Sequence, residues 1–148
     1  MRPRHVTPPL SFICCAAFLA LPQNAVAADC AVFDAIDRQN ASGTALTGAA
    51  CSTYATANAT AGFSCYWTHP YRDAAAQARA SGLWQMLQHC RAGQPLVRGG
   101  GVNHPDSYDL REWAHGRDVY AVSVKDKAAL DRTLVFVRVE PGRPGPAE

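Results

Sequence analysis

The sequence predicts an α+β fold, in which a small antiparallel sheet is packed by one long helix and the whole is stapled by disulfides. Residues Tyr71–His89 are rich in Ala, Leu, Met and Gln, which favours the helix. Val119–Val124 and Thr133–Val139 are dense in β-branched and aromatic residues, which favours a pair of strands. The four cysteines that follow the first 27 residues form an even set, typical of a disulfide framework.

Apolar residues of the predicted long helix fall on one stripe, which marks the face that contacts the sheet. The members of the stripe are Ala76, Ala80, Leu83, Trp84, Leu87 and Cys90. Pro70 is expected to open the helix, because proline is well tolerated in a first turn. Gly82 costs about 1 kcal/mol relative to alanine, and it predicts either a kink or close approach by a neighbouring element.

Two shorter elements are predicted before the long helix. Residues 29–40 have helical spacing, with Asp29 as the N-cap. Phe63–Trp67 alternates between apolar and polar residues, as in a short half-buried strand. Between them, Ala41–Ala61 has no clear period and predicts a loop or a weak helix.

The second half of the chain is predicted to hold one short helix and a hairpin. Arg91–Gly101 is expected to be a connection, and the short helix to start at Asn103 and end before Gly116. The two β-branched runs then form an antiparallel hairpin, whose loop carries the charged and exposed segment Lys125–Lys127. The tail, Pro141–Glu148, is rich in proline and glycine and is expected to be disordered.

The N-terminus has the three parts of a secretory signal peptide. Two arginines give a positive start, Leu10–Leu21 is a predominantly apolar run, and Ala25–Ala27 fits an A-x-A cleavage site. The apolar run is shorter than the roughly 20 residues that cross a bilayer, so the mature protein is expected to have no membrane span. We therefore expect residues 1–27 to be removed, residues 28–140 to form one domain, and the protein to be periplasmic or extracellular.

The charge of the mature chain excludes two classes of partner. The full sequence has 14 Lys and Arg against 12 Asp and Glu, and Arg2 and Arg4 leave with the leader, so the mature charge is balanced. No run of like charge stands out, so neither nucleic acid nor an anionic membrane is expected as a partner. A protein or envelope partner, recognised through shape and local chemistry, is expected instead.

The predicted helix limits how the cysteines pair. Cys65 precedes the helix and Cys90 follows it, and a straight helix over Tyr71–His89 is about 28 Å long. A disulfide needs Cα atoms within about 7 Å, so Cys90 is expected to pair with Cys30 or Cys51. The cysteine spacings match neither a C-x-x-C redox motif nor a zinc site, so no cofactor or metal is predicted.

Aromatic and cationic residues indicate a binding surface rather than a catalytic centre. The candidate binding residues are Tyr66, Tyr71, Arg72, His104 and Trp113, because aromatic side chains and arginine dominate binding hot spots. The other tryptophans are assigned to the core. The expected function is that of an exported, non-enzymatic binding module, for example an inhibitor or an immunity-type protein.

The alternative is a small secreted hydrolase centred on His104 and Asp106. Ser107 lies beside them, and His69 with Arg72 or Arg111 could complete a site for acid–base or nucleophilic chemistry. Ser107 lacks the flanking glycines of a nucleophile elbow, and the two His-Pro pairs fit turns and helix starts, because proline is well tolerated in the first turn of a helix. No catalytic residue is therefore assigned.

Secretion should yield a mature protein that begins at Ala28, because the A-x-A site ends at Ala27. N-terminal sequencing of the exported protein is the measurement. Recovery of residues before Ala25 would contradict the signal-peptide interpretation.

Overall fold

The computed structural model of the protein describes residues 30–56, 60–96 and 106–141. The predicted leader, the predicted cap Asp29, the predicted helix start at Asn103, His104 and residues 142–148 of the predicted tail lie outside these ranges. The described elements are α1 (Ala31–Asp37), β1 (Ala50–Ala55), β2 (Ala61–Pro70), α2 (Ala74–Cys90), β3 (Gln94–Leu96), β4 (Tyr108–His115), β5 (Asp118–Lys127) and β6 (Arg132–Pro141).

The strands form one six-stranded antiparallel sheet in the order β1-β2-β6-β5-β4-β3. Its centre is the hairpin of β5 and β6, which pair along their whole length from Asp118↔Pro141 to Lys127↔Arg132. Both helices pack on one face of the sheet, so the α+β prediction is confirmed. No helix within the described ranges is long and apolar enough to cross a membrane.

The core lies between the helices and that face of the sheet. Alternate residues of the central strands are buried there, because side chains along a strand point to opposite faces. The sheet contributes Phe63, Cys65, Trp67, Tyr120, Val122, Val124, Val135, Val137 and Val139, and the helices contribute Phe33, Ile36, Ala76, Ala80, Leu83 and Leu87. The predicted stripe of the long helix is confirmed, with Trp84 and Cys90 partly buried at its margin.

The long helix starts later than predicted and continues past its glycine. Pro70 ends β2 instead of opening α2, and the Asp73 carboxylate caps the helix by accepting a hydrogen bond from the Ala75 N–H at 3.1 Å. Gly82 lies on the exposed side of the continuous helix, and a Cβ built there meets no atom within 4 Å. The expected close approach was therefore wrong, and the helix is not interrupted at Gly82.

Residues predicted as loop or weak helix contain a strand. After a 3₁₀ turn at Thr44–Leu46, β1 pairs with β2 from Ala50↔Tyr66 to Ala55↔Ala61. The strand was missed because its small and polar residues have weak strand propensity and no apolar alternation. Pairing with a long neighbouring strand, rather than local propensity, determines its conformation.

The short helix predicted to end before Gly116 is also a strand. β4 pairs residue by residue with β5, and Gly116 lies in the turn between them with φ +58°. β4 turns Asp109, Arg111 and Trp113 toward the helices. Trp113 is buried, whereas Asp109 and Arg111 are exposed. The sequence therefore lacked the alternating signal that would have identified the strand.

Two disulfides connect the four cysteines of the described residues. Cys30 is bonded to Cys90, and Cys51 is bonded to Cys65. The expectation that Cys90 pairs with Cys30 or Cys51 is confirmed, because its partner is Cys30. The first bond joins α1 to the end of α2, whereas the second joins directly opposed residues of β1 and β2.

Removing the Cys30–Cys90 bond should destabilise the protein more than removing Cys51–Cys65. The bonds span 60 and 14 residues, and loop-closure entropy gives losses of about 4 and about 3 kcal/mol. Urea unfolding of the paired double-alanine variants measures the difference, and the wild-type protein without residues 1–27 should show no free thiol when denatured without reductant. An equal or reversed order would contradict this account.

Candidate functional site

The face of the sheet opposite the helices, here called the open face, contains a cavity of about 660 Å³. This volume falls in the range of roughly 300–1,000 Å³ that is usual for small-molecule sites. Five strands and the residue group before β4 contribute its lining, which consists of Ser52, Tyr54, Ser64, Asp106, Tyr108, Ser123, Lys125, Lys127, Phe136 and Arg138.

The antiparallel register brings these side chains together from distant parts of the chain. Ser64 is opposite Arg138, and Ser123 is opposite Phe136, so each pair shares the open face on neighbouring strands. The cavity extends along β5 and β6 to Lys127, which is opposite Arg132. Between Arg138 and Arg132 a strand advances about 20 Å, so the cavity is elongated.

One end of the open face is closed by a tyrosine that crosses a glycine. Tyr54 is opposite Gly62, and a Cβ on Gly62 would lie 2.6 Å from the Tyr54 ring. The ring therefore passes over β2, and its hydroxyl donates a 2.7 Å hydrogen bond to Glu140 on β6. Burial, followed by this hydrogen bond, raises the pKa of Tyr54 above its ordinary value.

An arginine makes a second crossing beside the first. Arg138 passes over Ala121 on β5 and contacts Glu112 on β4 at 3.3 Å, and its Nε lies 3.5 Å from Glu140. Ala121 is 1% exposed beneath it. The positive charge of Arg138 is therefore matched by two carboxylates before any ligand is considered.

The opposite end of the open face is cationic. Lys125 and Lys127 are the only lysines in the sequence, and both line the cavity. Lys125 Nζ lies 5.9 Å from the centre of the Tyr108 ring. No ion pair within the described residues involves either lysine. The acidic residue in the same lining is Asp106, which accepts a 2.9 Å hydrogen bond from the Ala128 N–H.

The segment Lys125–Lys127 is not the exposed hairpin loop that the sequence predicted. It belongs to β5, and the strand alternation sends the lysines to the open face and Asp126 to the helix face. Asp126 is 4% exposed. The prediction failed because a charged triplet was treated as solvent-facing throughout, although strand geometry separates its middle residue from its neighbours.

Asp126 anchors a hydrogen-bond network under the cationic end. Its carboxylate accepts from the Ser107 and Thr133 hydroxyls, each at 2.6 Å, and from Arg72 Nε at 3.2 Å. Burial alone would raise the pKa of Asp126, but these three donors outweigh burial and hold the pKa below its usual value. The network joins β5, β6, the segment before β4 and the turn before α2.

The candidate binding residues predicted from the sequence do not converge. Tyr66 is half-buried on the open face against Phe136, with ring centres 5.3 Å apart, so it flanks the cavity. Tyr71 and Arg72 occupy the turn before α2, where the Arg72 guanidinium lies 5.1 Å from the Tyr71 ring centre. Arg72 has φ +55°, and its N–H donates to Thr133, so part of its role is to shape this turn.

Trp113 is an interior residue rather than a surface one. It is 7% exposed, its indole N–H donates to the Arg91 carbonyl at 2.9 Å, and its ring packs edge-on against Trp84. Gly93 is required beside it, because a Cβ there would lie 2.0 Å from the Ala114 carbonyl oxygen. The remaining candidate, His104, lies outside the described residues.

The residues proposed for a hydrolase are held in other contacts. Ser107 donates to Asp126, Asp106 accepts from Ala128, and His69 Nε2 accepts from Arg79 Nε at 3.2 Å. Arg111 lies on the helix-facing side of β4 and pairs with Asp109 at 3.4 Å. Within residues 30–56, 60–96 and 106–141, no group of three His, Cys, Asp or Glu residues is arranged to hold a metal ion.

The cavity itself was missed at the level of sequence. Its residues come from five separate segments, and their proximity depends on a strand order in which β6 lies between β2 and β5. The sequence contained one indication of the site. Only two of its 14 basic residues are lysines, and these two lie at alternate positions of one strand. No family model, curated protein or solved structure matches this chain.

Asp126→Asn should lower the free energy of unfolding by about 1–3 kcal/mol at about pH 7, because the charged acceptor of three donors is lost. The wild-type carboxylate stabilises the fold above its unfolded pKa of about 3.9, and this contribution disappears as pH falls through its lower folded pKa. The difference between the two proteins should therefore shrink toward about pH 3.

Urea unfolding at both pH values tests this expectation. Asp109→Asn is the matched control, because its side chain is 55% exposed, and it should change stability by less than about 0.5 kcal/mol. A constant difference between wild type and Asp126→Asn across the pH range would contradict the assignment of the network's acceptor.

Proposed function

We propose that this protein is an exported, non-enzymatic binding module whose ligand occupies the cavity of the open face. The observation that supports the proposal is that the floor of that cavity differs from its walls in the type of side chain. Its floor contains Ser52 and Ser64, which are directly opposed on β1 and β2, and Ser123 on β5, while tyrosine, phenylalanine, lysine and arginine side chains rise around them. A concave site with apolar walls and a few convergent polar groups is the usual form of a ligand pocket.

The rigidity of the surrounding structure supports binding by a preformed site. The walls stand on paired strands, and Tyr54 and Arg138 are held by Glu140 and Glu112 in the described conformation. Side chains already fixed in this way lose little conformational entropy when a ligand arrives. The cost of ordering the site has then been met during folding.

Export is supported by the two disulfides together with the predicted leader. Disulfides persist in oxidising compartments and are rare in the cytosol. Both bonds of the described domain join cysteines that the predicted cleavage would retain. The partner is accordingly sought among components of the envelope or of the surrounding medium, and the expectation of a protein partner stays a prediction.

The hydrolase centred on His104 and Asp106 also stays a prediction. The contacts of Ser107 and Asp106 favour structural roles for these two residues, and His104 lies outside the described ranges. A screen for esterase, nuclease and glycosidase activity, run on wild type and His104→Ala, separates the two functions. Turnover that the variant loses would favour the hydrolase.

Ser64→Phe should abolish ligand capture by filling the floor of the cavity without breaking the strand. Ser64 is half-buried, and phenylalanine has good strand propensity. The matched control is Thr68→Phe, on the same face of β2 but outside the cavity lining. Purified proteins are incubated with an envelope extract, and retained small molecules are identified by mass spectrometry after ultrafiltration.

Wild type and Thr68→Phe should retain compounds that Ser64→Phe does not, with all three proteins giving the same circular dichroism spectrum. Equal retention by Ser64→Phe and wild type would place the binding site elsewhere on the protein. Retention by none of the three would count against the open face as a site for small molecules.

A further inference from the structure

We propose that the cavity of the open face takes a small, elongated amphipathic anion, whose apolar body lies on Phe136 and Tyr108 and whose anionic group meets Lys125 and Lys127. This inference rests on the proposed function and specifies the chemical class of its ligand. It depends on how charge and aromatic surface are distributed along the cavity.

The charges of the cavity are separated along its length. At one end Arg138 is matched by Glu112 and Glu140. At the other end Lys125 and Lys127 make no ion pair with a described residue, and Arg132 lies opposite Lys127 on β6. An anionic group placed at this second end gains attraction that the first end cannot supply.

Asp106 is the acidic residue at the cationic end, and it does not cancel that charge. One of its carboxylate oxygens accepts the Ala128 N–H hydrogen bond, which directs the group toward the backbone that follows β5. Lys125 and Lys127 line this end of the cavity with Asp106 as the acidic residue of the lining, and Arg132 lies opposite Lys127 with its Nε donating to the Leu130 carbonyl at 3.3 Å. The net charge of the side chains at this end of the cavity therefore remains positive.

The middle of the cavity supplies an apolar surface. Phe136 of β6 is opposite Ser123 of β5, and Tyr108 of β4 is opposite Lys125, the next residue of β5 on the open face. The ring of Tyr54 continues this surface toward the end that holds Arg138. A body that covers these rings and a charge that reaches the lysines together require an elongated ligand, in agreement with the extent of about 20 Å.

The identity of the basic residues also favours a small anion. The chain uses arginine almost everywhere, yet its two lysines are both in this cavity. A lysine ammonium is a compact charge on a flexible stem, which can follow anionic groups of different shape, whereas arginine suits fixed bidentate geometry. A nucleic acid or a membrane would instead require a wide basic surface, which the balanced charge of the mature chain does not provide.

Two fluorescent probes with the same ring system test the proposal. Anilinonaphthalenesulfonate carries a sulfonate, and phenylnaphthylamine is its uncharged counterpart. The variants are Lys125→Gln/Lys127→Gln and the control Arg111→Gln/Arg117→Gln, which removes the same charge from exposed positions outside the cavity. Ser64→Phe reports whether either probe occupies the cavity.

Wild type and the arginine control should bind the anionic probe about tenfold more tightly than the neutral one. The lysine variant should lose this preference, while its affinity for the neutral probe changes less than about twofold. Raising the salt concentration should weaken the binding of the anionic probe but not that of the neutral probe. Reductive methylation with isotope-labelled formaldehyde gives lysine NMR signals, and both should shift when the anionic probe is added.

The outcomes separate this inference from the proposed function. Equal affinity of wild type for both probes, with both displaced in Ser64→Phe, would overturn the anionic ligand and retain the cavity as a binding site. Binding of both probes that Ser64→Phe leaves unchanged would overturn the use of the cavity itself. An equal loss of anionic-probe affinity in the lysine variant and the arginine control would also overturn the inference, because it would reflect net charge alone.

Discussion

The long central hairpin of β5 and β6 is the constraint on which both faces of the protein depend. Because side chains alternate along each strand, a single register sends Val122, Val124, Val135 and Val137 into the core and their neighbours to the open face. A slip of one residue would bury Lys125 and expose the valines. The register that builds the core therefore also builds the cavity. The Asp126 network contributes at one end of this hairpin, because its donors come from residues on both sides of β5.

The open face is ordered by pairing small residues with long ones. Tyr54 crosses Gly62, and Arg138 crosses Ala121, so each long side chain lies along the sheet and reaches a carboxylate beyond the next strand. Such lateral contacts give the open face hydrogen bonds and ion pairs without a covering layer of helices. They also leave the serine-lined centre uncovered, because the long side chains are drawn toward the end that holds the carboxylates. The cavity is thus a consequence of how neighbouring side chains are held.

The elements with a strong periodic signal could be predicted from the sequence. Few of the elements without such a signal could be predicted. The stripe of α2 and the β-branched runs of β5 and β6 identified the fold class, and helix length favoured Cys30 or Cys51 over Cys65 as the partner of Cys90. Strands β1 and β4 were missed because their residues lack apolar alternation, and their conformation depends on pairing with β2 and β5. The candidate site was missed for a related reason, since its members are joined only by strand order. Trp113 shows the converse error, because a residue type common at binding surfaces here fills the interior.

The Cys51–Cys65 bond has a consequence for self-association. β1 is an outer strand of the described sheet, and it contains no charged residue or proline, the usual devices that discourage pairing between sheets of different molecules. The bond links directly opposed residues and so ties this strand to β2 in one register. Two molecules therefore cannot exchange β1 once the bond has formed, and domain swapping through this strand is confined to the reduced chain.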